Sequence, residues 1–307
     1  MRVFENPLHF GQFWCSTDVL PSYYGEATQG SLALQLGRRT QEKQTMRVGI
    51  ALRPASNWPA ILEAVQLADA SGLDAVGFPD HYHSERPEQS YVCGWSAYGA
   101  LAVVTKRIRL VPTVLVRLNY TLGVLAKESS ILSIISGGRF EMGIGAGDFP
   151  VEYTAWHQPY PDALTRVAAL RETILALREL WQGGLVTFEG DHVHLTNAAC
   201  TPAPPEPPRV VVGVGGSRRL IRSAVTYADE LNVYADEDVL HYAREQIAAS
   251  SRTVALSVYR PFGPDQWPSD LRSELQRWEQ LDVSRVFVNI GFDADLVQRV
   301  AELATAL

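Results

Sequence analysis

The sequence predicts an α/β fold of the (β/α)8 barrel class, and three observations support it. From Met46 to the end of the chain, apolar β-rich runs alternate with segments of helical periodicity. There are eight such runs, and with the intervening segments they occupy roughly 260 residues, the size of a closed eight-stranded barrel. An open, doubly wound sheet would usually contain fewer strands. The eight predicted strands are residues 47–52, 74–78, 108–114, 139–144, 209–214, 230–234, 253–258 and 284–289.

The first 45 residues differ in composition from the rest. Trp14, Tyr23 and Tyr24 lie there among Gly, Ser, Thr and Gln without a clear period. We interpret residues 1–45 as an N-terminal extension outside a barrel domain of residues 46–307, or as a segment upstream of a start at Met46. The alternative is an arm that packs on the barrel or on a partner subunit.

Helical periodicity and capping residues mark the segments between the strands. Asn57 precedes Trp58-Pro59 and is expected to cap the first helix. Asp162 is expected to cap a long fourth helix that reaches Leu180. Residues 185–195 follow this helix and read as a β-hairpin insertion with its turn at Glu189-Gly190-Asp191. A proline-rich linker, Thr201 to Pro208, then leads into the fifth strand.

Composition and charge exclude several classes of function. The formal net charge is -7, which gives no general attraction to nucleic acid or to an anionic membrane surface. No apolar run reaches the ~20 residues that a membrane-spanning helix needs. The cysteines Cys15, Cys93 and Cys200 form no Cys-x-x-Cys pair, so neither a disulfide scaffold nor a structural zinc site is indicated. These observations favour a cytoplasmic protein that acts on a small molecule.

In a (β/α)8 barrel the functional site lies at the carboxyl ends of the strands. The fourth predicted strand ends in the loop Gly145-Ala146-Gly147-Asp148, and the fifth ends in a glycine cluster, Gly213 to Gly216. Glycines at strand ends let the backbone approach a ligand closely. The fifth loop leads straight into a helix, and free N–H groups at a helix start suit a phosphate.

The segment Asp80-His81-Tyr82-His83 follows the second predicted strand and has rival interpretations. His-x-His at a strand end is a metal-ligand spacing, but such a site needs further His and carboxylate ligands from later strands. The fifth and sixth strands end in Gly, Asn and Tyr, so we predict no metal site. The structural interpretation is that Asp80 caps a turn while His81 packs.

Four stretches carry a resemblance to a known family: Asp80-His81, Thr105 to Leu110, Ser136 to Phe140, and Gly143 to Gly147. On these residues the chain resembles the bacterial luciferase-like family of flavin- and coenzyme F420-dependent oxidoreductases. The resemblance runs from about Met46 to the end of the chain. It implies a TIM barrel, either the deazaflavin coenzyme F420 or FMN as cofactor, and a homodimer as the common state.

The resemblance also implies roles for individual residues. In F420-dependent members the histidine that matches His81 lies near the cofactor ring. A carboxylate at the place of Asp148 is the candidate proton donor in some of them, since a carboxyl group in a partly dry pocket has a raised pKa. Asp148 as a cap of the 149–153 turn is the alternative. The third strand resembles one that carries a non-prolyl cis peptide under the ring, which by position is Thr113-Val114; an ordinary buried strand is the alternative.

The predicted catalytic residues are therefore His81 and Asp148. Ser217 is expected to donate a hydrogen bond to the cofactor phosphate and Arg218 to neutralise its charge, although arginines on a helix surface are usually solvated. The predicted cofactor-binding residues are Asp80, Thr113, Val114, Gly145, Ala146, Gly147, Gly213, Gly215, Gly216, Ser217 and Arg218.

The predicted function is F420-dependent hydride transfer to or from a small organic substrate, since a single short domain and Asp148 favour the deazaflavin. An FMN-dependent monooxygenase that uses reduced flavin and O2 is the first alternative, and a non-catalytic flavin-binding barrel is the second. The residues do not specify the substrate. Aromatic side chains in the segments 82–95, 149–160 and 260–270 are expected to surround it or to pack those loops down.

Overall fold

The computed structural model describes residues 45–52, 57–83, 92, 94–261, 271–290 and 294–305. From Lys43 onward the chain forms one compact unit. The predicted extension over residues 1–45 lies outside the described residues except for its last residue. Most of the predicted loop segments at 82–95 and 260–270 also lie outside them, including Tyr91, Phe262 and Trp267.

Nine of the described strands form one sheet in which all the neighbouring strands are parallel. They are short and largely apolar, as expected for a parallel sheet that is covered on both faces. In chain order the described strands are β1 (Arg47–Ala51), β2 (Ala75–Gly77), β3 (Arg109–Leu110), β4 (Leu115–Val116), β5 (Met142–Gly145), β6 (Val186–Glu189), β7 (His194–Ala198), β8 (Val210–Gly215), β9 (Glu230–Tyr234), β10 (Ala255–Pro261) and β11 (Arg285–Asn289).

The sheet closes on itself through the third predicted strand. Its order is β3-β2-β1-β11-β10-β9-β8-β5-β4, and the two outermost strands, β3 and β4, belong to one continuous segment. The N–H groups of Val111 and Thr113 donate to β2 and its end, at Val76 (2.9 Å) and Phe78 (3.0 Å). At the other side, the N–H of Glu141 donates to the carbonyl of Leu110 at 3.0 Å. Residues 109–116, which contain both β3 and β4, therefore act as one strand that closes a ring of eight. The predicted (β/α)8 barrel is confirmed.

Helices cover the outside of the barrel. The predicted caps form: Asn57 accepts from the N–H of Ala60 at 3.3 Å, and Asp162 accepts from Leu164 at 2.8 Å and from Thr165 at 3.0 Å. The described helices are α1 (Trp58–Ala70), α2 (Trp95–Val104), α3 (Leu122–Ser136), α4 (Pro150–Ala155), α5 (Ala163–Leu180), α6 (Arg218–Ala224), α7 (Glu237–Ala249), α8 (Leu271–Gln280) and α9 (Ala294–Ala304), with a 3-10 turn at Arg117–Asn119.

The motif Ser136–Phe140 has a structural explanation. The guanidinium of Arg139 donates to the carbonyls of Ser136, Ala102 and Ile108 and to the hydroxyl of Thr105. This side chain therefore joins the end of α3 to the end of α2 and the start of β3, on the side of the barrel away from the strand ends that carry the site.

Strands β6 and β7 pair with each other in a separate antiparallel sheet between α5 and β8. Their turn is anchored by Glu172 of α5. Its carboxylate accepts from the backbone N–H groups of His192 (2.7 Å), Val193 (2.9 Å) and Asp191 (3.2 Å). His192 and His194 are exposed on this sheet.

Two kinds of interior fill the barrel. Large apolar side chains, including the fully buried Trp181 and Trp278, pack between the strands and the helices. Inside the ring a small apolar layer is followed, at the amino ends of the strands, by a group of charged side chains, of which Glu141, Glu230 and Arg285 are buried. We call this set the floor cluster; it consists of Arg47, Asp74, Arg109, Glu141, Arg209, Glu230 and Arg285.

Candidate active site

A cavity of about 400 Å³ opens at the carboxyl ends of the strands, where a (β/α)8 barrel carries its site. Residues from β2, from the β3–β4 segment, from β5 and from β8 meet there, as the alternation of strands and helices predicts. All the predicted site residues except Arg218 line this cavity. The predicted residues that line the cavity are Asp80, His81, Thr113, Val114, Gly145, Ala146, Gly147, Asp148, Gly213, Gly215, Gly216 and Ser217.

Val114 forms the base of the cavity. The peptide bond Thr113–Val114 is cis, as the resemblance predicted. A Cβ added at Gly145 would lie 2.8 Å from a Val114 methyl carbon, and one added at Gly213 would lie 2.7 Å from the other. Both positions therefore need glycine for Val114 to sit between β5 and β8. The Oγ1 of Thr113 is buried and has no hydrogen-bond partner among the described residues.

His81 lies at the cavity wall in contact with a buried carboxylate. Its Nδ1 is 3.0 Å from Oε1 of Glu152, whose side chain is 4% exposed. Burial alone lowers the pKa of His81, but the hydrogen bond to Glu152 and the negative charges of Glu152, Asp148 and Asp80 outweigh it and raise the pKa. The ring is therefore biased toward the cationic form, which donates hydrogen bonds from both nitrogens.

Asp80 is engaged by the protein itself. Its carboxylate accepts from the N–H of Val116 (2.9 Å), from the hydroxyl of Tyr120 (2.9 Å) and from the amide of Asn119 (3.3 Å). Burial raises its pKa despite these three donors. Asp80 thus ties the end of β2 to the turn after β4, and it shapes the cavity wall on which His81 sits.

Asp148 lies at the rim of the cavity and is exposed. The partly dry surroundings expected for it are therefore not present in the described structure. Its alternative role as a helix cap is also wrong, because α4 begins at Pro150 after Phe149 without a side-chain cap. Asp148 is a carboxylate that faces both the cavity and solvent.

The glycine cluster Gly213–Gly216, at the carboxyl end of β8, forms another wall of the cavity. Gly215 has a φ of +51° and packs against the ring of Tyr234, where a Cβ would approach a ring carbon to 2.9 Å. Ser217 caps α6 by accepting from the N–H of Leu220 at 3.3 Å. Arg218 does not line the cavity, and its guanidinium lies over the ring of Tyr242, 5.0 Å from the centroid. The helix carries this side chain outward.

Arg166 of α5 brings a cationic group to the cavity that the sequence analysis did not single out. Its Nε donates to the carbonyl of Gly147 at 3.1 Å and its Nη1 to Pro161 at 2.6 Å, while the guanidinium lies 4.2 Å from the ring centroid of Tyr160. Asn232, Tyr234 and Tyr259 complete the wall from β9 and β10. The sequence did contain a signal for this residue, because Arg166 is a charged residue on a helix face that is otherwise apolar around Val167 and Leu170.

A second cavity of about 340 Å³ shares the side chain of Glu152, the partner of His81. Tyr82 and Trp156, which lie in the predicted aromatic segments, line this cavity and are exposed at 47% and 60%. Trp95, by contrast, packs against the rings of Tyr120 and Phe140. The second cavity is lined by Tyr82, Asn119, Glu152, Tyr153, Trp156 and Gln158.

Among the described residues, no cluster of three or more His, Cys, Asp or Glu side chains could hold a metal ion. Among the helices described above, none combines the length and apolar character needed to cross a membrane.

Comparison with known proteins gives consistent relatives. F420-dependent glucose-6-phosphate dehydrogenase of Amycolatopsis mediterranei is 32% identical over 158 residues, which cover 51% of this chain and 47% of the relative. The chain thus spans about half the length of the curated relatives it matches. An F420-dependent secondary alcohol dehydrogenase in complex with an F420-acetone adduct has the same fold, with a TM-score of 0.71 at 16% identity over 86% of this chain and 98% of the other.

A second solved structure is of an FMN enzyme. The oxygenating constituent of 3,6-diketocamphane monooxygenase from Pseudomonas putida, in complex with FMN, matches with a TM-score of 0.67 at 15% identity over 85% of this chain and 97% of the other. The model of the luciferase-like monooxygenase family matches residues 38–296. With most of its length matched, this chain belongs to the luciferase-like monooxygenase family.

Proposed function

We propose that this protein is a coenzyme F420-dependent oxidoreductase that transfers a hydride between the deazaflavin and a small organic substrate. The observation that carries the proposal is the convergence of His81, Val114, Gly147 and Gly215 on one cavity at the carboxyl ends of the strands. The relatives named as F420-dependent dehydrogenases support the choice of cofactor. Asp148, at the place where the resemblance puts a carboxylate in some F420-dependent members, supports it as well.

The cavity fits a flat heteroaromatic ring. Its volume of about 400 Å³ lies in the range that holds drug-sized ligands. Val114 and the two glycines beside it offer an apolar base with no Cβ in the way. The unpartnered Oγ1 of Thr113 is a buried polar atom of the kind that a bound ligand satisfies.

When bound, the deazaflavin would supply two-electron hydride chemistry. The protein's residues would then divide the remaining work. Val114 would support the ring from below, and the Gly213–Gly216 segment with Ser217 would accept the phosphate end. His81, held as a cation, would stabilise the negative charge that develops in the cavity. Asp148, at the exposed rim, would exchange a proton with the substrate or with solvent.

Cofactor retention tests the proposal directly. The purified protein is incubated with F420 or with FMN, desalted, and examined by visible absorbance. We expect F420 to be retained and to change its oxidation state when a panel of secondary alcohols and glucose 6-phosphate is added. Retention of FMN with loss of F420 would instead support the flavin monooxygenase. Binding without turnover on any substrate would support the non-catalytic barrel.

The proposal includes a homodimer in the cytoplasm. Helices α2 and α3 pack together and expose Val103 (71%), Ile134 (39%) and Ile135 (48%), and exposed apolar side chains on neighbouring helices are typical of subunit contacts. Light scattering coupled to size exclusion gives the molar mass. A monomer at micromolar concentration would refute the dimer, and recovery of the protein outside the cytosolic fraction would refute the location.

A further inference from the structure

We propose that Glu152 is a positioning residue that fixes the imidazole of His81 at the cavity wall and keeps it in the cationic, hydrogen-bond-donating form. The inference rests on the proposed function, because it gives His81 its part in that reaction. It adds a residue from the short helix α4, which lies 71 positions along the chain from His81.

The geometry around Glu152 favours one orientation of the histidine ring. Oε1 of Glu152 is 3.0 Å from Nδ1 of His81, and it also accepts from the backbone N–H groups of Tyr82 at 3.1 Å and His83 at 3.4 Å. On the other side, the ring of Phe149 meets the imidazole edge-on, with centroids 5.3 Å apart and an angle of 72°. Glu152 therefore holds the imidazole through Nδ1 and fixes the direction of the ring.

Charge acts in the same direction as geometry. The charged groups that face His81 in the described part of the chain are Glu152 from α4, Asp148 from the loop after β5, and Asp80 from its own segment. Asp80 is already engaged by three donors, and Asp148 is exposed. The buried Glu152 carboxylate is therefore the direct partner, and it works against the desolvation that would make the ring neutral.

The consequence is a change in chemical role. A histidine whose cationic form is favoured donates a hydrogen bond or a proton more readily and acts as a general base less readily. Removal of the Glu152 charge should lower the pKa of His81, although Asp148 and Asp80 still favour the cation. The cationic form would then be less populated at a given pH, and His81 would stabilise negative charge less well.

Glu152 could instead serve only to hold the backbone of residues 81–83, and Glu152→Gln separates the two roles. Glutamine keeps an oxygen that can accept from Tyr82 and His83, but it carries no charge. A matched control is Glu189→Gln, because Glu189 lies 3.3 Å from Nδ1 of His194 in an exposed pair on the β6–β7 sheet. Glu189→Gln makes the same chemical change beside His194, a histidine on the separate β6–β7 sheet that does not line the cavity.

The experiment is a pH titration of the histidine ring resonances by NMR in the cofactor-free protein, with His81 assigned from a His81→Asn variant. We expect the pKa of His81 to fall in E152Q and to stay unchanged in E189Q. A His81 titration that is the same in E152Q as in the wild type would overturn the proposal.

A second measurement covers the case in which E152Q does not fold. In the wild type, His81 should titrate above a histidine in an unstructured reference peptide, and its Nδ1 should show the 15N shift of a hydrogen-bonded nitrogen; a titration below the peptide would also overturn the proposal. Neither result depends on F420, so failure of the proposed function shows separately, as loss of cofactor retention.

Discussion

Replacing Arg285 with methionine should destabilise the barrel by about 3 kcal/mol. Arg285 is fully buried at the amino end of β11 and contacts three carboxylates: Glu141 at 2.9 Å, Asp74 at 3.1 Å and Glu230 at 3.4 Å. Removal of one partner from a buried ion pair costs about 3–5 kcal/mol, because it leaves a charge without compensation in a dry site. Methionine fills similar space, so packing contributes little to this difference.

The remaining arginines of the floor cluster place the expected cost at the lower end of that range. Arg209 stays 3.1 Å from Glu230, and Arg109 stays 3.2 Å from Glu141. These two side chains are 33% and 43% exposed, so water weakens their attraction to the buried carboxylates. They therefore compensate the carboxylates only in part, and a cost remains. A loss of ~3 kcal/mol corresponds to a fall in melting temperature of about 6 °C for a domain of this size.

Thermal and urea unfolding, followed by circular dichroism, measure the effect. The matched control is Arg244→Met, which removes the same side chain from an exposed pair with Asp282 at 2.8 Å and should cost less than about 1 kcal/mol. Adding Glu141→Gln to Arg285→Met should restore part of the loss, because it removes a buried charge that lost its partner. If Arg285→Met and Arg244→Met are equally mild, the floor cluster does not stabilise the barrel as argued.

Three further substitutions test the site and the fold. Gly213→Ala should cost about 1–3 kcal/mol and weaken F420 retention, because its Cβ would lie 2.7 Å from Val114. Gly216→Ala is the control for stability, because its nearest atom would lie at 3.8 Å and its melting temperature should stay unchanged; equal melting temperatures of the two variants would contradict this. Burial raises the pKa of Glu172, but the three backbone N–H donors outweigh it and lower the pKa. Glu172→Gln should therefore lower the free energy of unfolding by about 1–2 kcal/mol at any pH above the pKa of the unfolded state, about 4.3. That difference should vanish as pH falls through the folded pKa, and urea midpoints across pH that keep it would refute the reasoning. Asp148→Asn should lower kcat by roughly 10²- to 10⁴-fold at unchanged melting temperature, and a fully active variant would remove its acid role.

The strands could be predicted because each of them is buried on both faces. Such strands read as continuous apolar runs, for example Val210-Val211-Val212, and each predicted strand position carries a strand in the structure. Strand ends then follow from the fold class, and with them the cavity that unites His81, Val114, Gly147 and Gly215. The cis peptide came from the family resemblance alone, since nothing in the local composition specifies it.

The remaining features depend on closure of the ring, which no local pattern contains. Glu141, Glu230 and Arg285 are single charges at strand starts and look like ordinary solvated boundary residues until the barrel brings them together. Glu152 and Arg166 reach the site from helices whose direction depends on tertiary packing. The position of Arg218 depends on the same packing, because one helical position decides whether a side chain points to the cavity or to Tyr242.

The two ends of the barrel differ in what they can tolerate. The amino ends of the strands carry charges that compensate one another, and Glu141, Glu230 and Arg285 among them are buried, so a change of one of these three removes stability. The carboxyl ends carry glycines, an unpartnered Thr113 hydroxyl and an exposed Asp148, which contribute little to packing and leave space for a ligand. The apolar layer around Val111 and Phe287 separates these ends. A floor substitution should therefore lower the melting temperature yet leave F420 retention unchanged in the folded protein, whereas Asp148→Asn should change turnover and leave the melting temperature unchanged.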